Sequence, residues 1–224
     1  MFSKLKPAQA LTYALGGILL CGAAWVAIFG PTEPIPMQYG LGGEVNRYGS
    51  RYELAGVFAV LAIVAVISST LTGAQAEKTV GYGQKPLRKG QYTTLIIIAL
   101  VSAFIAWSSL GRSVDAGAYP MSLGMAFLSV IMIMVGAILG RMPPNAMIGV
   151  RTPWAFKSRL AWDKSNRLAG RLMFFIGFAG LIACPFVAQP LGMLALTALV
   201  LLAAGLSAYE SWRVWRADPE AQSF

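Results

Sequence analysis

Six apolar runs constrain this chain more than any other feature. They cover residues 11–29, 54–71, 93–111, 121–140, 172–188 and 191–208, and none holds an acidic or basic residue. A bilayer core about 30 Å thick needs roughly 20 residues of helix, because each residue rises about 1.5 Å. In lipid, every backbone N–H and C=O must be paired within its own segment, so such runs span as helices. The last two runs are separated only by Gln189 and Pro190; a proline can end one helix and open the next. Charged residues make up 12% of the chain, against about 25% in a soluble domain. The expectation is an all-α polytopic membrane protein with six transmembrane helices. Lys4 and Lys6 precede the first run as they would in a signal peptide. That run exceeds a signal h-region and ends without a small-residue cleavage site, so it is expected to stay as the first helix.

The polar intervals set the orientation. With the N-terminus in the cytoplasm, the inner segments carry Lys4, Lys6, Lys78, Lys85, Arg88, Lys89, seven cations of residues 141–171, Arg213 and Arg216. The outer segments carry only Arg47, Arg51 and Arg112. Fifteen basic residues inside against three outside satisfies the positive-inside rule at every loop. The predicted arrangement is N-in and C-in. It also accounts for the net charge of +9 without invoking direct nucleic-acid binding.

Two polar intervals stand out. Residues 31–53 mix Pro31, Pro34 and Pro36 with Gly40, Gly42, Gly43 and Gly49 and with Tyr39, Tyr48 and Tyr52. That mix predicts an ordered, Ω-like outer loop rather than a plain connector. Residues 141–171 hold Arg141, Arg151, Lys157, Arg159, Lys164, Arg167 and Arg171 against one acid, Asp163. Pro143 and Pro144 stop the fourth helix there. Thr152 can cap a short helix with Pro153 at its first position, and Ser158 can cap a second start. Trp154, Leu160 and Trp162 among the cations suit a helix lying in the membrane interface, aromatic side toward the acyl boundary. The competing reading makes Asn145, Arg151 and Trp154 the floor of a site at the cytoplasmic mouth of the bundle. In the latter, Arg151 is expected to bond turn carbonyls or Asn145. On the fourth helix, Gly136 and Gly140 form a G-x-x-x-G pair, which serves packing within the bundle or a homodimer seam.

The residues Pro144-Asn145, Gly149-Val150-Arg151-Thr152-Pro153-Trp154, Trp162 and Asn166-Arg167 with Gly170 resemble the signature of the SdpI family of bacterial membrane proteins. The outer loop, with Pro34-Ile35-Pro36, Gly43, Asn46 and Arg47, is similar to the N-terminal domain that often accompanies SdpI-like halves. Gln38 and Asn46 stand where that loop usually has His and Asp, and Asn166 stands where the central motif usually has His. The resemblance implies a unit over residues 1–75 with an ordered outer loop at 31–53. It implies a second, four-helix unit over 92–210 with a cytoplasmic motif loop at 141–171.

What the resemblance implies about function is immunity. The protein would sit in the bacterial inner membrane and confer resistance to a secreted antimicrobial peptide. A cytoplasmic repressor, captured in signalling, would be a second partner. Motif residues would be Asn145, Gly149, Arg151, Thr152, Pro153, Trp154, Trp162, Asn166 and Arg167. A peptide toxin arriving from the outer face would meet Gln38, Tyr39, Asn46, Arg47 and Tyr48. No cofactor is implied. A small transporter or ligand sensor is the alternative, but ion pathways usually need a charged residue within a span, and no run has one. A membrane enzyme is the third class. Histidine is absent, which removes the commonest general base and metal ligand, and no replacement pair stands at helical spacing. Cys21 and Cys184 lie inside apolar runs and form no disulfide framework.

Overall fold

A computed structural model describes residues 6–40, 44–79, 81–110, 118–145 and 147–222. The helices are α1 (Pro7–Phe29), α2 (Arg51–Lys78), α3 (Gln84–Leu110), α4 (Ala118–Leu139), α5 (Pro153–Lys157), α6 (Arg159–Ala183) and α7 (Leu191–Ala217). All but α5 are long and apolar enough to cross a membrane, and the chain is a multi-pass membrane protein. Several helices outrun their apolar windows. α7 continues to Ala217 and carries Glu210, Arg213 and Arg216; α6 starts at Arg159, so the last part of the polar interval is already helix. Long cationic side chains make this tolerable, because their stems lie along the helix while their heads reach water.

The burial pattern is that of a protein in lipid. Large apolar side chains such as Ile18, Ile63, Phe175 and Leu201 face outward, while small ones such as Ala62, Ala65, Ala203, Ser207 and Ser211 are buried. Lipid is as apolar as leucine, so helices gain by close approach at small residues rather than by hiding large ones.

The chain divides into two compact units, residues 1–78 with 91–120 and residues 79–90 with 121–224. Most of α3 therefore belongs with α1 and α2. In the first unit α1 packs along α2 around Leu19, Val26, Leu54, Phe58 and Ala65, joined by Leu95 and Ile98 of α3. A buried polar tie links the same three helices: Thr12 Oγ1 lies 2.6 Å from Ser69 Oγ, and Gln91 Nε2 donates to Ser69 O and Oγ at 3.0 Å.

The polar interval at 31–53 is not an Ω-like loop but holds a β-hairpin, β1 (Ile35–Tyr39) with β2 (Val45–Gly49). The strands are antiparallel, with Ile35 opposite Gly49, Pro36 opposite Tyr48 and Gln38 opposite Arg47. Gly40 N closes the turn on Glu44 O at 2.7 Å. Gly42 and Gly43 lie outside the described residues, as do Lys4 and Arg112. Ile35, only 2% exposed, pins the hairpin into the core. Pro36 fits because both strands of a two-stranded ribbon are edges. Arg47 pairs with Glu53 at 2.9 Å, and Arg51 Nη1 donates to Ile28 O and Gly30 O at the end of α1. Gln38, Tyr39, Asn46, Arg47 and Tyr48 are all exposed on this hairpin. Partial desolvation of the otherwise exposed Tyr39 phenol raises its ionisation above the usual range, and the neighbouring Tyr48 adds to the effect.

In the second unit α6 packs against α7, and α5 touches both. α4 crosses α6 at backbone contact: a Cβ added at Gly136 would lie 2.7 Å from Gly170 O, and one at Gly177 would lie 2.6 Å from Ser129 O. Gly136 and Gly140 thus pack against α6 of the same chain, the use within the bundle that the pair offered.

Candidate functional site

The motif loop begins where α4 unwinds. Arg141 N and Met142 N close a tight last turn on Ile138 O and Leu139 O at 3.0 and 3.2 Å. Pro143 and Pro144 then follow; without amide hydrogens they cannot extend the helix. Asn145, 4% exposed, organises the turn with its own side chain. Its Nδ2 donates to Pro143 O at 2.8 Å and Ile148 O at 2.7 Å, while its Oδ1 accepts from Met147 N and Ile148 N at 2.8 and 2.7 Å. All four hydrogen-bonding positions of the amide are thereby filled, which is what makes its burial affordable in free energy.

α6 supplies the other half. Trp162 is fully buried, and its indole N–H donates to Met142 O at 2.8 Å, satisfying a carbonyl released at the end of α4. One turn on, Asn166 Oδ1 accepts from Val150 N at 2.7 Å and its Nδ2 donates to Trp162 O at 2.9 Å. Gly149 threads between them with φ +142°, and a Cβ there would lie 2.8 Å from both Asn166 Oδ1 and the Trp162 ring. Glycine is required twice over, by conformation and by space.

The caps work as their sequence predicts. Thr152 Oγ1 accepts from Ala155 N at 3.2 Å with Pro153 at the first position of α5, and Ser158 Oγ accepts from Ala161 N at 2.9 Å to open α6. Both hydroxyls also reach α7. Thr152 pairs with Ser211, and Ser158 donates to Asp218 Oδ2 at 2.5 Å. Gln222 N donates to Lys157 O at 2.9 Å.

Six of the nine motif residues therefore belong to one assembly: Asn145, Gly149, Thr152, Pro153, Trp162 and Asn166. Trp154 is half-buried on α5, while Arg151 and Arg167 are exposed. Two expectations are overturned. Arg151 makes no hydrogen bond or ion pair among the described residues; Asn145 and Trp162 take the carbonyls it was expected to bind. Trp162 is not an interfacial anchor. Its ring packs against Phe156 at 5.5 Å, and the apolar side chains left exposed there are Phe156 and Leu160. The sequence reading missed Ser211 and Asp218. The signal for Ser211 was its i, i+4 spacing from Ser207 on a small-residue face with Ala203; Asp218, past the end of α7, had none. Among the described residues no three Cys, Asp or Glu side chains come together as a metal site would require.

The fold around this loop coincides with a family match. Residues 141–210 match the model of the SdpI/YfhL protein family. That segment is SdpI-like. It opens at Arg141, where α4 ends, and takes in the motif loop, α5, α6 and most of α7. The immunity protein SdpI of Bacillus subtilis (strain 168) is 32% identical over 72 residues, which is 32% of this chain and 34% of that protein. The chain thus spans about a third of the length of the curated relative it matches. No solved structure matches. The SdpI-like segment holds every buried motif contact made by α6, from Trp162–Met142 to Asn166–Val150.

Proposed function

We propose that this protein confers resistance to a secreted antimicrobial peptide from the bacterial cytoplasmic membrane, as a binding protein rather than an enzyme. The observation that carries this reading is the match of residues 141–210 to the SdpI/YfhL family, beside the 72-residue likeness to an immunity protein; the matched segment holds the buried contacts of α6. In this reading both termini and the motif loop face the cytoplasm, and the hairpin faces outside. The peptide meets the hairpin first, at Gln38, Tyr39, Asn46, Arg47 and Tyr48, which present amide, phenol and guanidinium groups on a short rigid ribbon. The motif assembly holds α4, α6 and α7 in the competent arrangement. Its exposed cations, Arg151 and Arg167 among them, offer an acidic cytoplasmic repressor a docking charge, which would couple resistance to transcription.

The test is expression in a peptide-sensitive strain, challenged from outside with the secreted peptides of the same genome. Survival should rise with the wild type, and fall when Tyr39 and Tyr48 are replaced by Ala at unchanged protein level. Equal killing with and without the protein across those peptides would remove immunity as its role.

A further inference from the structure

The α4–α6 crossing leaves a groove of about 560 Å³, lined by Gly136, Ala137, Gly140 and Gly170, rimmed by Arg141, Arg167 and Arg171, and continued by Phe174 and Phe175. Its volume lies within the usual range of small-ligand sites, about 300–1,000 Å³. Its floor is backbone, because the glycines bring the two helices into contact. Its rim is entirely cationic. Arg167 and Arg171 stand one turn apart on the same face of α6, and Arg141 meets them from the end of α4. None of the three has an ion pair among the described residues. Asp163, the acid nearest in sequence, leans away to Arg159 at 3.7 Å.

Three like charges gathered in one groove repel one another and lack a counter-ion. The apolar window of α6 begins directly after Arg171, so the rim sits at the boundary between hydrocarbon and water. A guanidinium there is matched by a phosphate, which takes two parallel N–H donors from one fork. Beyond the rim, Phe175 is 66% exposed and stands one turn deeper, where an acyl chain would run. We propose that this groove binds one anionic glycerophospholipid, its phosphate held by Arg141, Arg167 and Arg171 and one acyl chain laid over Phe174 and Phe175. Such a lipid would close the crossing as a neutralising wedge, and the inference stands independently of the immunity reading.

The full chain, reconstituted in nanodiscs of phosphatidylcholine with a minor share of phosphatidylglycerol, should retain phosphatidylglycerol in native mass spectrometry. Replacing Arg167 and Arg171 together by Gln should weaken that retention roughly tenfold or more. Lys164→Gln with Arg216→Gln removes the same charge from the same end of the unit outside the groove, without releasing Asp163 from Arg159, and should leave retention unchanged. If the Gln pair does not fold, Arg167→Lys with Arg171→Lys carries the test; it should hold the lipid less well than wild type yet still favour phosphatidylglycerol. Undiminished retention in the Gln pair would overturn the site, as would equal loss in the control pair or no lipid preference in the Lys pair. Displacement of the lipid by inorganic phosphate alone would overturn the lipid assignment. So would a delipidated protein that takes up an acidic peptide but shows no lipid preference.

Discussion

Replacing Gly149 by Ala tests the motif loop at its tightest point. At φ +142° an L side chain is strained, a cost of about 1–3 kcal/mol. The added Cβ would also lie 2.8 Å from Asn166 Oδ1 and from two carbons of the Trp162 ring. Neither neighbour can yield cheaply. Asn166 is fixed by Val150 N and Trp162 O, and Trp162 is tied to Met142 O. Overpacking of this kind costs a further ~1–3 kcal/mol. The sum, roughly 2–6 kcal/mol, is a large share of the 5–15 kcal/mol that typically separates folded from unfolded domains. Gly205→Ala on α7 is the control. A Cβ there meets nothing within 4 Å, and Ala is about 1 kcal/mol better than Gly inside a helix. Unfolding in mixed micelles with increasing SDS, followed by far-ultraviolet circular dichroism, compares the two. Gly149→Ala should shift the transition to much lower denaturant while Gly205→Ala leaves it unchanged or raises it. A Gly149→Ala protein as stable as the Gly205→Ala control would refute both the backbone and the packing argument.

Four further outcomes are expected. Trp162→Phe removes the indole N–H and one ring from a fully buried site, stranding the Met142 carbonyl and leaving a void, and should cost at least about 1–3 kcal/mol in the same titration; no loss would mean that the loop repacks and the carbonyl finds another donor. Arg151→Lys should change stability by less than about 0.5 kcal/mol, because the guanidinium is exposed and unbonded; a larger loss would mean that it braces the loop after all. The folded Tyr39 has a raised ionisation, so any stability it lends is intact below about pH 10 and lost as pH rises through the folded value. Tyr39→Phe should remove that alkaline loss, and an unchanged alkaline profile would count against it. In a variant lacking Cys21 and Cys184, an impermeant thiol reagent should label Ser50→Cys but not Glu220→Cys in intact cells; labelling at 220 would invert the topology. Ser158 is unsuitable for this, because it is buried and caps α6.

Much of the fold was legible because the bilayer imposes simple rules on the chain. Charge-free runs of sufficient length marked all six spans, and the caps at Thr152 and Ser158 followed from residue type and position alone. The helix ends were less legible. Hydropathy stops at the edge of the hydrocarbon, whereas helical hydrogen bonding continues through Glu210, Arg213 and Arg216. The hairpin was missed because Pro and Gly dominate residues 30–43 and mask the β-branched and aromatic pairing of Ile35 and Tyr39 with the second strand. In the motif, Asn145, Gly149 and Asn166 make the buried contacts, whereas Arg151 makes none among the described residues. Its charge drew attention, while neutral amides and an indole met the buried carbonyls at far lower desolvation cost.

The stitching of α5 to α7 has a mechanical consequence. Thr152 and Ser158 bracket the short helix, and their partners are Ser211 on α7 and Asp218, the residue that ends it, seven positions on. That is two turns, about 10 Å at 1.5 Å per residue. Two fastenings so separated resist both sliding and rotation, as two screws hold a plate where one would let it pivot. A twist of α7 about its own axis cannot be absorbed at one cap alone; α5 must either travel with it or let go of both. The motif loop runs into α5 at Thr152, while Val150 is held by Asn166 of α6, so a shift of the last membrane helix would reach the loop through Thr152 as displacement rather than as a change in charge.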